Sequence, residues 1–226
     1  MQIKFKNSLY DYDYLVMFDL ASKNTGVCIW DIKKDAPLKV QMIKVLGKGD
    51  TFTKELYEKI EELFNNLLNQ GIEKNKIVVA KEAMPVQLRG GSSTVQTFIA
   101  LAKSHAILDF FIDKNEYNMY DYIGVYPSTT HAYFKRVMGW DSKHPVDKGD
   151  IKGYIVNNYN FNDITFDESD AVFLAQTLIH VKWNKDISEE IREVKKHKKE
   201  LKMQNAIEKC DQEIARLENL KNNFEI

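Results

Sequence analysis

Cysteine is nearly missing from this chain: Cys28 and Cys210 are the only 2 among 226 residues. There is no Cys-x-x-Cys pair, so a zinc ribbon and a disulfide framework are both excluded, and a reducing cytoplasm is the expected compartment. No run of roughly 18 apolar residues occurs, the length that argues for a membrane-spanning helix, and no membrane partner is expected. Met1 to Tyr14 carries polar and acidic residues where a signal peptide needs an apolar stretch. An excess of basic residues is lacking too, with a net charge of −1 and a pI near 6.5. That balance is unusual for a nucleic-acid binder. It does not exclude one, because a carboxylate cluster that holds cations is neutralised by them, and one basic face can coexist with an acidic remainder. No internal repeat is apparent. What is left is an ordinary globular composition, 44% hydrophobic and 29% charged, in a chain long enough for one α/β domain of about 150–180 residues and an appendage.

The first third reads as strands. Leu15-Val16-Met17-Phe18 is a continuous apolar run ending at Asp19, Thr25 to Trp30 follows after a short polar turn, and Val40 to Val45 alternates after Pro37. Three such strands with tight connections predict an antiparallel meander, broken at Gly47-Lys48-Gly49-Asp50. Thr51 to Gln70 is an amphipathic helix with Leu56, Ile60, Leu63 or Phe64, and Leu67 at helical spacing. Ile77-Val78-Val79-Ala80 is a buried strand that runs through Lys81 into Glu82. A loop from Pro85 to Gly91 precedes a long helix, capped at Ser92 or Ser93 and reaching about Lys114. Ile123 to Tyr126 predicts one more strand, Pro127 to Met138 a helix, Lys148 to Tyr159 a short helix, and Asp167 to Lys182 the last core helix. The order βββ-α-β-α-β-α is that of the ribonuclease H-like fold: an α/β domain with a mixed five-stranded sheet flanked by helices.

After Trp183 the chain is dense in Lys and Glu and lacks Pro and Gly. Residues 184–226 are therefore expected as a charged C-terminal helical extension of a 1–183 domain. Met203, Ile207, Cys210, Ile214 and Leu217 follow a 4-3-4-3 spacing, which fits either a short coiled coil or a helix folded back on its own domain.

Carboxylates stand where chemistry can gather. Asp19 closes the first buried strand, Glu82 closes the strand of Ile77 to Ala80, and Asp167 and Asp170 share one face at the start of the last helix. Bland readings exist for each. Asp167 also suits a helix N-cap, acids near any helix start are favoured by the macrodipole, and Glu82 alone could be a solvated loop residue. Asp19 resists such a reading, because four apolar residues precede it and a turn of small residues follows. Four converging carboxylates repel one another unless cations lie between them, and oxygen-only ligands suit Mg²⁺ or Mn²⁺. A pair of such ions supports in-line displacement at a phosphodiester.

Asp19-Leu20-Ala21-Ser22-Lys23-Asn24-Thr25-Gly26 resembles the Asp-Pro-Gly-Ser-x-x-Thr-Gly opening of RuvC-type Holliday junction resolvases. Strand-then-Glu82 followed by a long helix resembles the family's second element, and Asp167-Glu168-Ser169-Asp170-Ala171 its Asp-x-x-Asp-Ala close. The likeness covers about Leu15 to Val181 and is most similar to the small phage-encoded branch, which would act in a host cytoplasm. The resemblance implies metal-dependent paired nicking of four-way and other branched DNA by a homodimer, leaving 5′-phosphate and 3′-hydroxyl ends. It implies two Mg²⁺ per site (Mn²⁺ substituting) held by Asp19, Glu82, Asp167 and Asp170, with Lys148 near the scissile phosphate and Lys152 or Lys135 as substitutes. It also implies a helix from Ser93 to Lys114 near the dimer interface and a junction-reaching loop carrying Leu88 and Arg89. Each of these lysines, and that loop, has an ordinary solvated-surface reading beside it. The family's Pro-Gly after the first aspartate is Leu20-Ala21 here, and an aromatic residue often found three positions after the glutamate is Pro85.

Readings from other classes are weaker. An actin-like or sugar-kinase-like phosphotransferase would need a glycine-rich phosphate loop after Asp19, and Leu20 to Lys23 does not supply one. The nuclease domain of a transposon-type RNA-guided effector would need a zinc ribbon. A non-catalytic branched-DNA-binding or assembly protein on the same fold keeps the binding and drops the metal requirement.

Overall fold

The computed structural model describes residues 12–84, 95–120, 124–183, 188–189, 191–196 and 204–222. The meander forms as its apolar pattern predicts: β1 Tyr14–Asp19, β2 Asn24–Asp31 and β3 Ala36–Lys44 pair antiparallel in sequence. β4 Ile77–Lys81 then pairs parallel to β1, and β5 Asn118–Met119 parallel to β4. The resulting five-stranded mixed sheet has the order β3-β2-β1-β4-β5. β1 and β4 lie inside it, covered on both faces, which is why both read as unbroken apolar runs. β3, at the edge, leaves much of itself exposed.

One face of the sheet is closed by α1 Asp50–Asn69 and α2 Val95–Lys114. Val16, Phe18, Val27, Ile29, Ile77 and Val79 point into it and meet Leu56, Ile60 and Phe64 of α1 and Leu108 and Phe111 of α2. The opposite face belongs to α3 Pro127–Val137, α4 Lys148–Tyr159 and α5 Phe166–Thr177. There Trp30 meets Tyr159 edge-on at 5.8 Å, and Phe173 lies edge-on to Phe134 and Tyr154 and tilted against Tyr133. By length and composition α2 is apolar enough to cross a membrane, so the sequence expectation was too strong on that point. Its buried face nevertheless packs on this core and carries Ser104 and His105.

Two boundaries differ from expectation. Of the strand predicted at Ile123–Tyr126, Ile123 lies outside the described residues and the rest forms a single bridge between Glu82 and Val125, while the parallel ladder lies earlier, at Asn118–Met119. Gly124 makes the bridge possible: its φ is +89°, and a Cβ there would sit 2.4 Å from the Lys81 carbonyl oxygen. The last core helix stops at Thr177 rather than Lys182, and Leu178–Trp183 forms a π-helical turn.

A second, smaller compact unit begins at Gln176, the larger ending at Ala175. It contains helical residues 191–196 and α6 Gln204–Asn222. Cys210, Ile214 and Leu217 of the predicted seam are buried within the single chain, as are Ile191 and Val194. Lys195 and Glu218 form an ion pair at 2.6 Å. Met203 and the Ile207 side chain lie outside the described residues.

Candidate active site

Sheet register sets the first two carboxylates side by side. Phe18 pairs with Lys81 across the parallel β1–β4 ladder, and the Glu82 N–H donates to the Phe18 carbonyl at 2.9 Å. The next rung therefore places Asp19 next to Glu82. Side chains alternate along a strand, and Phe18 enters the α1–α2 core while Lys81 pairs with Asp109 of α2. Asp19 and Glu82 accordingly emerge together on the α3–α5 face.

Gly26 brings α5 down on them. It lies opposite Asp19 in the β1–β2 ladder, and a Cβ there would stand 2.0 Å from the Asp167 carbonyl oxygen. Only a residue without a side chain lets the helix start touch the sheet. The helix cap is Thr165, not Asp167: Thr165 Oγ1 accepts from the Glu168 N–H at 3.3 Å, and Glu168 Oε2 accepts from the Thr165 N–H at 2.9 Å. This capping box leaves both aspartates free of capping duty.

Asp170 reaches the cleft and Asp167 stands at its edge. A cleft of ≈ 530 Å³ is lined by Asp19, Glu82, Thr130, His131, Lys148 and Asp170, with Ile151 and Leu174 among its apolar walls. Lys148 bridges the last two aspartates, with Nζ 2.6 Å from Asp170 Oδ2 and 3.8 Å from Asp167 Oδ1. It is the first residue of α4, inside the capping box of Asp147 and Asp150, whose mutual side-chain-to-backbone bonds are both 2.9 Å. That box fixes where the lysine leaves the backbone.

The carboxyls are held far from their solution behaviour. Burial, then the charges of Glu82 and Asp170, push Asp19 well above the usual carboxylate range. Burial likewise raises Glu82, to about 7, with Asp170 adding to it and the hydrogen bond from Asp19 opposing it. Burial raises Asp170 against the pull of Lys148. Burial works against the Lys148 ammonium as well, but its bond to Asp170 and the charges of Asp170, Asp19 and Asp167 together outweigh that and hold its pKa above the lysine norm. Asp170 Oδ1 is buried with no hydrogen-bond partner. Among the described residues no three Asp, Glu, His or Cys side chains are already arranged as a set that could hold a metal ion. The donor chemistry nonetheless fits a hard divalent cation: oxygen ligands, an orphaned buried oxygen on Asp170, and carboxyls that repel one another.

The remaining predicted positions are scattered. Lys135 donates to the Ser142 carbonyl at 2.6 Å and so ties down the loop after α3. Lys152 lies one turn beyond Lys148 and holds its ammonium 5.1 Å from the centre of the Phe166 ring. Leu88, Arg89, Pro85, Gly90 and Gly91 fall outside the described residues. Thr130 and His131 were not singled out in the sequence. His131 is close enough to Asp170 to favour its ionised form, yet a lone histidine on a helix offers no pattern that would have found it.

No known family model matches the sequence, and no curated protein does. Solved structures do resemble the fold. Thermus thermophilus RuvC in complex with a Holliday junction substrate superposes with a TM-score of 0.53 at 11% identity, covering 77% of this chain and 96% of that one. A second Thermus thermophilus RuvC structure gives 0.53 at 10% identity, covering 76% and 95%.

Proposed function

We propose that this chain is a metal-dependent endonuclease that resolves four-way and other branched DNA junctions. Its starting premise is the shared RuvC-like, ribonuclease H-like fold. The observation that carries it is the convergence of Asp19, Glu82 and Asp170 from two adjacent strands and a helix into one cleft beside Lys148. Three largely desolvated carboxyls that raise one another's pKa are costly for stability, and such strain is characteristic of sites built for chemistry. Asp19, Glu82 and Asp170 would hold Mg²⁺, or Mn²⁺ in its place, with Asp167 at the rim as the remaining ligand and two ions per site as the full complement. Bound there, these ions supply positive charge to the scissile phosphate and the departing oxygen.

The chain's own groups do the rest. Lys148 offers an ammonium to a non-bridging phosphate oxygen, from a helix start made rigid by Asp147 and Asp150. Glu82, whose carboxyl pKa burial holds high in the metal-free chain, would bind the ion in its ionised form, so metal binding there releases a proton. His131 adds a polar group to the same cleft, near Asp170. The outer face of α2 leaves Val95, Ile99, Ala106 and Phe110 exposed in one stripe, a surface that suits a second copy of the chain and hence two sites for paired nicks.

The test is cleavage of an end-labelled synthetic four-way junction with Mg²⁺ and with EDTA, by the wild type and Asp170→Asn. Paired symmetric nicks that require metal and fall by at least roughly 100-fold in the variant are expected. Binding without cleavage in Mg²⁺ or Mn²⁺ would reduce the protein to a junction binder, and neither binding nor cleavage would overturn the reading.

A further inference from the structure

Phe166 is the first residue of α5 and the immediate neighbour of Asp167, yet 49% of it is exposed. The nearby aromatics Tyr133, Phe134 and Phe173 are all buried, so the helices on this side of the sheet do enclose rings elsewhere. The Phe166 backbone is firmly placed. Its carbonyl accepts from the Ser169 hydroxyl at 2.8 Å, and the Thr165–Glu168 box precedes it. Lys152 holds its ammonium 5.1 Å from the ring centre. On α4, Lys152 and Lys148 are four residues apart, so they share a face with about 6 Å between their Cβ atoms. Two parallel rungs result. Lys148 meets Asp167 and Asp170 at the cleft, and Lys152 meets Phe166 one turn along.

Resting on the junction-nuclease reading above, we propose that Phe166 and Lys152 form a stacking step for one unpaired nucleobase next to the cleaved phosphate. The spacing of the lysines resembles the step between successive phosphates of an extended strand. A strand with one phosphate at Lys148 therefore meets Lys152 at the next, and the flat ring lies where the intervening base turns outward. The chemistry favours single-stranded or branch-point DNA over duplex. Paired bases hide their faces in the helical stack, whereas a base at a branch unstacks at small cost and can lie on an aromatic ring. Stacking tolerates any base, so the step selects for branch structure more than for sequence.

The experiment measures binding of a fluorescent four-way junction in Ca²⁺, used to limit turnover, over a salt series, beside cleavage in Mg²⁺. Phe166→Ala is expected to weaken binding roughly 5- to 100-fold. Phe166→Leu, which keeps apolar bulk but not a ring face, should be nearly as weak, and Phe166→Trp should restore binding. Lys152→Gln should lower the slope of log affinity against log salt by about 1. Thermal melts of each variant establish that it is folded. Phe166→Ala and Phe166→Leu binding as tightly as wild type would overturn the stacking step while leaving the nuclease reading intact. Wild-type protein that neither binds nor cuts branched DNA would overturn both.

Discussion

Glu82 shows what the cleft costs the fold. A carboxyl whose folded pKa lies above its unfolded value destabilises the protein wherever both states are ionised. Glu82 rises from 4.5 to about 7, chiefly through burial. In metal-free protein in EDTA the Glu82 penalty should be absent below pH 4.5, grow as pH climbs from there to 7 and level off above it, at on the order of 3 kcal/mol. Glu82→Gln removes that slope. Its urea midpoint should exceed the wild type's at pH 8, converge with it near pH 5, and respond less to added Mg²⁺. A wild-type profile flat from pH 5 to 8 would contradict the burial assigned to this carboxyl. Asp19, Glu82 and Asp170 could be picked out from sequence because each ends or begins an element whose apolar pattern is strong. Depth could not: the Asp-x-x-Asp spacing puts both aspartates on one helical face without telling that Asp170 enters the cleft and Asp167 remains at the rim.

At the level of elements, the contact between α5 and β2 decides whether the cleft exists. Gly26→Ala places a methyl group 2.0 Å from the Asp167 carbonyl oxygen if nothing moves, so the helix must lift from the sheet. The expected cost is about 3 kcal/mol by urea denaturation, with cleavage lost even where the protein stays folded, because Asp170 leaves Asp19 and Glu82. Stability and activity equal to wild type would show that α5 does not depend on this close approach. The Thr-Gly pair was visible in the sequence as part of a motif, but its reason, a helix carbonyl resting on a strand, is a tertiary fact. β5 was misplaced for a related cause. Asn118–Met119 is only two residues long and has no apolar run, so its pairing is dictated by β4. The helices α1, α3 and α4 were legible nearly to the residue, since amphipathic spacing and Pro127 at a first turn are local signals, and the Asp147 cap that fixes the start of α4 is local too, though it was not read from the sequence.

For the molecule as a whole, the exposed stripe on α2 carries the dimer reading. Phe110→Glu should convert a dimer into a monomer by light scattering, retain the fold, and replace paired junction nicks with single ones. A wild type that is monomeric at assay concentration, yet nicks in pairs, would remove α2 from that role. Folding of the entire sheet is also policed by a detail of β4. Lys81, 2% exposed, and Glu82 are sequence neighbours on opposite faces, the one against Asp109, the other in the cleft. A strand that slipped by a single residue would bury the Glu82 carboxylate against Asp109, like charge against like, and strip Asp109 of its lysine. Misthreaded chains would thus be rejected by charge at the place where the chemistry is assembled, so that a correctly zipped sheet and a competent cleft are the outcome of one proofreading event.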